Sequence, residues 1–157
     1  MEIFRTLTDA LIARGLHIAA AESCTGGMFA SRIVDIPDAS KVLGASFITY
    51  SEDAKCAFAG VDAGTIEKYG VVSEEVAAEM ASGAAAAAKA EVGVGITGFA
   101  GPTGGTEKAP AGTVCFGFFC NGKTRTETVH YGTIGRNAVR DKAACHAAER
   151  IVGILEE

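Results

Sequence analysis

The chain has 157 residues, 48% of them hydrophobic and 21% charged, with a formal net charge of −5 and a pI near 5.2. That composition suits one globular domain with a sizeable core and excludes a disordered chain. The acidic balance argues against a sequence-independent nucleic-acid binder, which needs a basic face.

Ile3, Phe4, Leu7, Leu11 and Ile12 recur at three- and four-residue steps, which predicts an amphipathic helix stopped by Gly15. "LHIAAAES" (16–23) predicts a short buried strand, and "TGGMFASRIV" (25–34) a helix that ends before Pro37. "GASFITY" (44–50) reads as a second strand and "SEDAKCAFAG" (51–60) as a short helix closed by Gly60. "SEEVAAEMASGAAAAAKA" (73–90) is a helix of strong alanine propensity, thin enough to pack closely on a neighbour. "EVGVGIT" (91–97) is a third strand, followed by the glycine-rich loop 98–112. "TVCFGFF" and "KTRTETVHY" are two strands joined by an Asn121-Gly122 hairpin turn, the second of them half exposed and an edge. A final helix runs from Ile134 to Leu155. The expected fold is a single three-layer α/β domain over residues 1–157: a mixed sheet of about five strands with helices on both faces.

No uncharged run reaches the ~18 residues of a membrane helix. Glu2, Arg5, Asp9 and Arg14 stand at helical spacing where a secretory leader would be basic and then apolar. The five cysteines (Cys24, Cys56, Cys115, Cys120 and Cys145) include no C-x-x-C pair. A cytoplasmic protein with reduced thiols, no membrane partner and no zinc site is the expectation.

Two motif matches fail on context. Gly117–Thr124 fits the P-loop pattern but falls in a hairpin, with no helix to aim its N–H groups at phosphate. Gly93–Gly98 fits G-x-G-x-x-G, yet its first two glycines lie inside a strand and more glycine and Pro102 follow. Glycine in that strand instead admits a close backbone or ligand.

"AESCTGG" is the stretch that bears on chemistry. Ser23 would sit at the carboxyl end of a strand, where open α/β sheets bind ligands. Thr25, Gly26 and Gly27 would open the next helix and offer N–H groups to an oxyanion. A plain helix cap is the bland reading of Ser23 or Thr25, and Cys24 is a rival nucleophile. His17, ~20 Å away along an extended strand, and His130 and His146 have no acid partner nearby in sequence, so a Ser-His-Asp triad has poor support. Lys55, one turn into its helix, is the other base: the positive end of a helix dipole and burial would both favour its neutral amine, and otherwise it is a solvated surface lysine. Arg136 and Arg140 share one helix face and could grip phosphate.

Taken together, "AESCTGG", "YSEDAK", "GVVSEEVAAEMASGA", "TGFAGPTGG", "PAGTV" and "GRNAVRDKA" resemble, in that order, the CinA C-terminal domain family. Its members occur alone or fused to larger competence-damage-inducible proteins, and the stand-alone ones include nicotinamide-nucleotide amidases. The resemblance implies hydrolysis of nicotinamide mononucleotide to nicotinic acid mononucleotide and ammonia, in pyridine nucleotide salvage. It implies no metal and no cofactor, a small-molecule nucleotide as substrate, and a homo-oligomer. It makes Ser23 the nucleophile, Lys55 its base and Tyr50 a helper in proton transfer. Thr97, Gly98 and the loop after them, with Arg136 and Arg140, would bind the nucleotide, Arg140 foremost. A nucleotide-binding or regulatory module without amidase activity is the other class the family offers. Two departures from the usual pattern stand out. Glu52 replaces a common asparagine, and Ala109 precedes Pro110 where relatives tend to carry lysine, with Lys108 one position earlier.

Overall fold

A computed structural model describes all 157 residues. Six helices and five strands follow one another as α1 (Glu2–Arg14), β1 (Ile18–Glu22), α2 (Met28–Val34), β2 (Phe47–Ile48), α3 (Glu52–Ala59), α4 (Ala63–Tyr69), α5 (Glu74–Ala88), β3 (Val92–Gly98), β4 (Thr113–Cys120), β5 (Lys123–His130) and α6 (Arg136–Glu156). The sheet order is β2-β1-β3-β4-β5. β1 pairs parallel with both β2 and β3, while β4 and β5 pair antiparallel. The sheet is therefore mixed and open, as the interleaved strands and the hairpin lead one to expect. Asn121 and Gly122 turn that hairpin at φ 52° and 72°, both in the left-handed region that a two-residue turn of this kind requires.

Helices cover both faces. On one, α1, α2 and α6 bury Phe4, Leu7, Phe29, Ile33 and Ile151 against Val92, Val94, Ile96, Val114 and Phe116 of the sheet. On the other, α3, α4 and α5 close over Ala19 and Ala21 with Val76, Met80 and Ile66. The alternation of side chains along each strand divides the apolar residues between the two layers.

The second layer is unusually tight. A Cβ on Gly93, Gly95 or Gly117 would stand 2.0, 2.2 or 2.1 Å from a main-chain oxygen of Ala81 or Ala77 in α5. The main chain of α5 thus lies directly on β3 and β4. Alanine on the helix and glycine on the strands are two halves of one contact.

Three local expectations differ. β2 is an edge strand limited to Phe47 and Ile48: on its N-terminal side the Ser46 side chain, not the main chain, takes the Ala20 N–H of β1, and after it Thr49 N makes a last bond to Glu22 O. α2 starts at Met28, not Thr25, because Gly26 and Gly27 take φ 59° and 92° and cannot belong to a right-handed helix. α4 has no counterpart in the sequence reading. It is seven residues long, contains Gly64 and buries only Ile66, so its periodicity is faint. No helix is long and apolar enough to cross a membrane.

Gly95→Ala is expected to unseat α5 and to lower stability by roughly 3 kcal/mol or more, read from urea unfolding. Gly153→Ala, in a helix with nothing within 4 Å of the new methyl, is expected to raise it by about 0.5 kcal/mol. Equal tolerance at the two positions would show that the close approach carries no stability.

Candidate active site

The chain leaves β1 toward β2 on one side and returns to β3 on the other. The carboxyl ends of β1 and β3 therefore sit at a topological switch point, where connections diverge and leave a crevice. A cavity of about 340 Å³ opens there, with Ser23, Tyr50, Glu52, Lys55, Thr97 and Arg136 in its wall.

Ser23 follows the last residue of β1, and Lys55 lies in the first turn of α3, which Ser51 caps by accepting from Ala54 N. Lys55 Nζ is 3.1 Å from Ser23 Oγ and donates to Thr49 O at 2.7 Å. Lys55 is 1% exposed and Ser23 8%. Burial pushes the Lys55 ammonium below the ordinary lysine range; Cys24, Glu52 and Cys56 act in the opposite direction. No carboxylate pairs with the amine, and it sits at the positive end of a helix. Once neutral, it keeps one N–H on Thr49 O and turns its lone pair to the serine proton.

The segment after Ser23 does not present a row of free helix N–H groups. Gly26 N donates to Ser23 O. The buried Glu22 carboxylate accepts from Gly27 N, Phe29 N and Ala30 N at 3.1, 3.0 and 2.9 Å. Glu22 itself fills the anion position at the start of α2, so the expected donation from Gly26 and Gly27 to an oxyanion is corrected: their N–H groups are taken. Thr25 is wholly buried and lies outside the cavity wall. Glu22 was passed over in the sequence. Its signal was a lone charge ending a strand that is otherwise alanine and isoleucine.

Arg140 is also placed differently. Its Nε donates to Cys24 O at 2.9 Å, its Nη2 to Thr25 O at 3.1 Å and its Nη1 to Asn137 Oδ1 at 3.0 Å. It stands behind the Ser23 turn, outside the cavity wall, with three of its five N–H groups committed to the turn and to Asn137. Arg136, one helical turn earlier, lines the cavity and donates to Tyr50 Oη at 2.9 Å and to Gly101 O at 3.0 Å. Tyr50 is 61% exposed and makes no hydrogen bond to Ser23 or Lys55. Thr97 Oγ1 donates to Val71 O, and Gly98 continues the same wall. Ser23, Lys55, Tyr50, Thr97, Gly98 and Arg136 thus share one cavity, whereas Thr25, Gly26, Gly27 and Arg140 form its backing.

The three histidines lie outside the cavity wall. His17 pairs with Glu91, His130 with Thr113, and His146 with Glu127 under the Phe116 ring. Burial pushes the Cys24 thiol up to about 11, the opposite of an activated thiolate. No group of three or more His, Cys, Asp or Glu side chains converges to hold a metal ion.

Comparison with known proteins gives the family. The sequence profile of the CinA C-terminal domain matches residues 2–155. The chain belongs to the CinA C-terminal domain family. A CinA-like protein of Kosmotoga olearia is 48% identical over 135 residues, which cover 86% of this chain and 32% of that protein. Protein YdeJ of Escherichia coli K12 is 44% identical over 125 residues, 80% of this chain and 73% of YdeJ. The chain spans about a third of the length of the CinA-like protein and of a putative competence-damage inducible protein of Alkaliphilus oremlandii. Among solved structures, the competence/damage inducible protein CihA of Agrobacterium tumefaciens superposes with a TM-score of 0.95 at 35% identity, covering 99% of this chain and 94% of that one. A CinA superfamily protein of Escherichia coli gives 0.93 at 38% identity, covering 97% and 88%.

Alkylation of the native CinA-family domain with iodoacetamide at neutral pH is expected to label the half-buried Cys56 well before Cys24, read by peptide mass mapping. First labelling at Cys24 would restore it as the nucleophile.

Proposed function

We propose that this CinA-family domain is an amidohydrolase that converts nicotinamide mononucleotide to nicotinic acid mononucleotide and ammonia through an acyl-enzyme on Ser23. The observation that carries the reading is the buried Lys55 amine 3.1 Å from the Ser23 hydroxyl, a nucleophile and a base with no other work in sight. The substrate is the one that the family resemblance implies. The cavity supports it by placing the Arg136 guanidinium, for a phosphate, on the same wall as the reacting pair.

Neutral Lys55 takes the Ser23 proton as the serine oxygen bonds to the carboxamide carbon, whose carbonyl becomes an oxyanion. The Lys55 ammonium then protonates the amide nitrogen, the C–N bond breaks and ammonia leaves. Water, deprotonated by the same amine, attacks the ester, and the carboxylate departs as Ser23 regains its proton. Tyr50, on the cavity rim and bonded to Arg136, links the phosphate end to the reacting end. In this reading its phenol reaches the proton path only on substrate binding. The domain acts as a homo-oligomer with its small-molecule substrate as partner.

Ser23→Ala is expected to abolish ammonia release and the acyl-enzyme mass, and Lys55→Met to slow turnover by ~100-fold or more, with folding retained in both. Substrate binding by the wild type without ammonia or an acyl adduct would favour the regulatory reading instead. Activity should rise with pH as Lys55 loses its proton, with the rise displaced to the acid side of an ordinary lysine because burial disfavours the ammonium. Glu52 favours the ammonium, so Glu52→Gln should move the rising limb to still lower pH; an unmoved limb would take Lys55 out of the rate law. Arg136→Ala should raise KM for the nucleotide about tenfold or more while sparing a phosphate-free nicotinamide riboside. Equal losses on both substrates would remove its phosphate role.

A further inference from the structure

The main chain of the Ser23 turn is almost fully paired. Ser23 N donates to Ile96 O, and Ser23 O accepts from Gly26 N. Cys24 O accepts from Arg140 Nε; Thr25 O accepts from Arg140 Nη2 and from Met28 N. Gly27 N, with Phe29 N and Ala30 N, is held by Glu22. Two N–H groups of the turn reach no main-chain or carboxylate oxygen, those of Cys24 and Thr25; the Cys24 N–H faces only its own thiol, a weak acceptor. Thr25 is wholly buried, whereas Cys24 is 5% exposed and lines the cavity beside Ser23.

The direction of the Cys24 N–H is fixed by its own peptide plane. Ser23 C=O and Cys24 N–H belong to one rigid, trans peptide and point opposite ways. The carbonyl is turned toward Gly26, so the N–H is turned away from α2. The next plane is fixed in the same manner: Arg140 grips Cys24 C=O from α6. Two opposite charges hold this conformation from two sides, a carboxylate on the donors of the following helix and a guanidinium on the carbonyls of the turn. The Glu22 and Arg140 side chains are 118 positions apart in the chain, and neither lines the cavity itself.

We propose that Glu22 and Arg140 are positioning residues that hold the Ser23 turn so that the Cys24 main-chain N–H is the oxyanion donor of the site. The inference rests on the proposed nucleophilic role of Ser23 and is independent of which amide is hydrolysed. A donor on the residue after the nucleophile meets the oxygen of the bond being attacked. It is worth most when fixed in advance, because no reorganisation is then needed as charge develops. Free flexing of the turn would spend that advantage. The Gly26 and Gly27 conformations at positive φ give the chain the reversal that delivers Gly27 N to Glu22 while Gly26 N stays on Ser23 O.

The test uses the intact protein and a fluorophosphonate that modifies serine without needing the natural substrate. Ser23 Oγ bonds to phosphorus, Lys55 takes the hydroxyl proton, the P–F bond breaks and fluoride leaves; the P=O oxygen occupies the oxyanion position. Wild type is expected to acquire one adduct at Ser23, absent in Ser23→Ala. Arg140→Lys keeps the charge but loses the two-carbonyl grip, and Glu22→Gln keeps the shape but replaces one acceptor oxygen by a donor. Each should lower the inactivation rate constant at least about tenfold with the half-saturating probe concentration unchanged. For Arg140→Ala, millimolar ethylguanidinium should restore much of the rate. Thermal melting is followed in parallel. A variant that folds and still labels at the wild-type rate overturns the positioning role. Should a variant fail to fold, the ethylguanidinium arm and the other variant decide. Labelling of wild type without any ammonia from nicotinamide mononucleotide would remove the substrate reading alone, and no labelling of wild type would remove both the nucleophile and the device that holds it.

Discussion

A primary amine kept out of water and 3.1 Å from a serine hydroxyl is the interaction on which the rest of this molecule turns. An ammonium in that place loses most of its hydration and gains no carboxylate in return. Its protein partners are an uncharged hydroxyl and one carbonyl, Thr49 O. The neutral form is therefore favoured relative to an ordinary lysine, and a neutral amine has a lone pair to offer. Everything around it either preserves that dryness or sets the geometry of the pair.

The dryness comes from the sheet and its tight second layer. With α5 laid main chain to main chain on β3 and β4, α3 and α4 are drawn over the carboxyl end of β1, and α3 carries Lys55 into the crevice. Gly83 of α5 is part of this, since a Cβ there would overlap Ala59 O at the end of α3. Small residues in three elements are thus a condition for a lysine placed one turn into a short helix to reach a serine beyond a neighbouring strand. Burial disfavours an unpaired cation there and shifts Lys55 toward its neutral form.

Electrostatics then separates two ends of the cavity. The Ser23–Lys55 pair sits where the β1 turn and α3 meet, and Arg136 stands at the start of α6 with Tyr50 bonded to it. Two formal charges that could have belonged to the site instead support its back wall: Glu22 neutralises the start of α2, and Arg140 ties α6 to the turn. Glu52 is a negative group on the cavity wall, acting on Lys55 across one turn of α3.

Local physics in the sequence determined much of this. Period and breakers placed α1, α5, β3 and α6; the Asn121-Gly122 pair specified its hairpin; and strand glycines facing an alanine-rich helix pointed to close packing. The ordered motifs pointed to the family, and they marked Ser23, Lys55 and Arg136. Each of these signals is carried by a few adjacent residues or by short motifs in a fixed order. Tertiary structure alone decided which polar groups were already occupied. Gly26 N is taken by a local turn onto Ser23 O, but Gly27 reads as a free donor and Arg140 as a phosphate ligand because their partners, the Glu22 carboxylate five positions back and the Cys24 and Thr25 carbonyls 116 and 115 positions away, come together only when β1, α2 and α6 are packed. A hydrogen bond uses up its donor, and that competition among distant groups is settled in three dimensions.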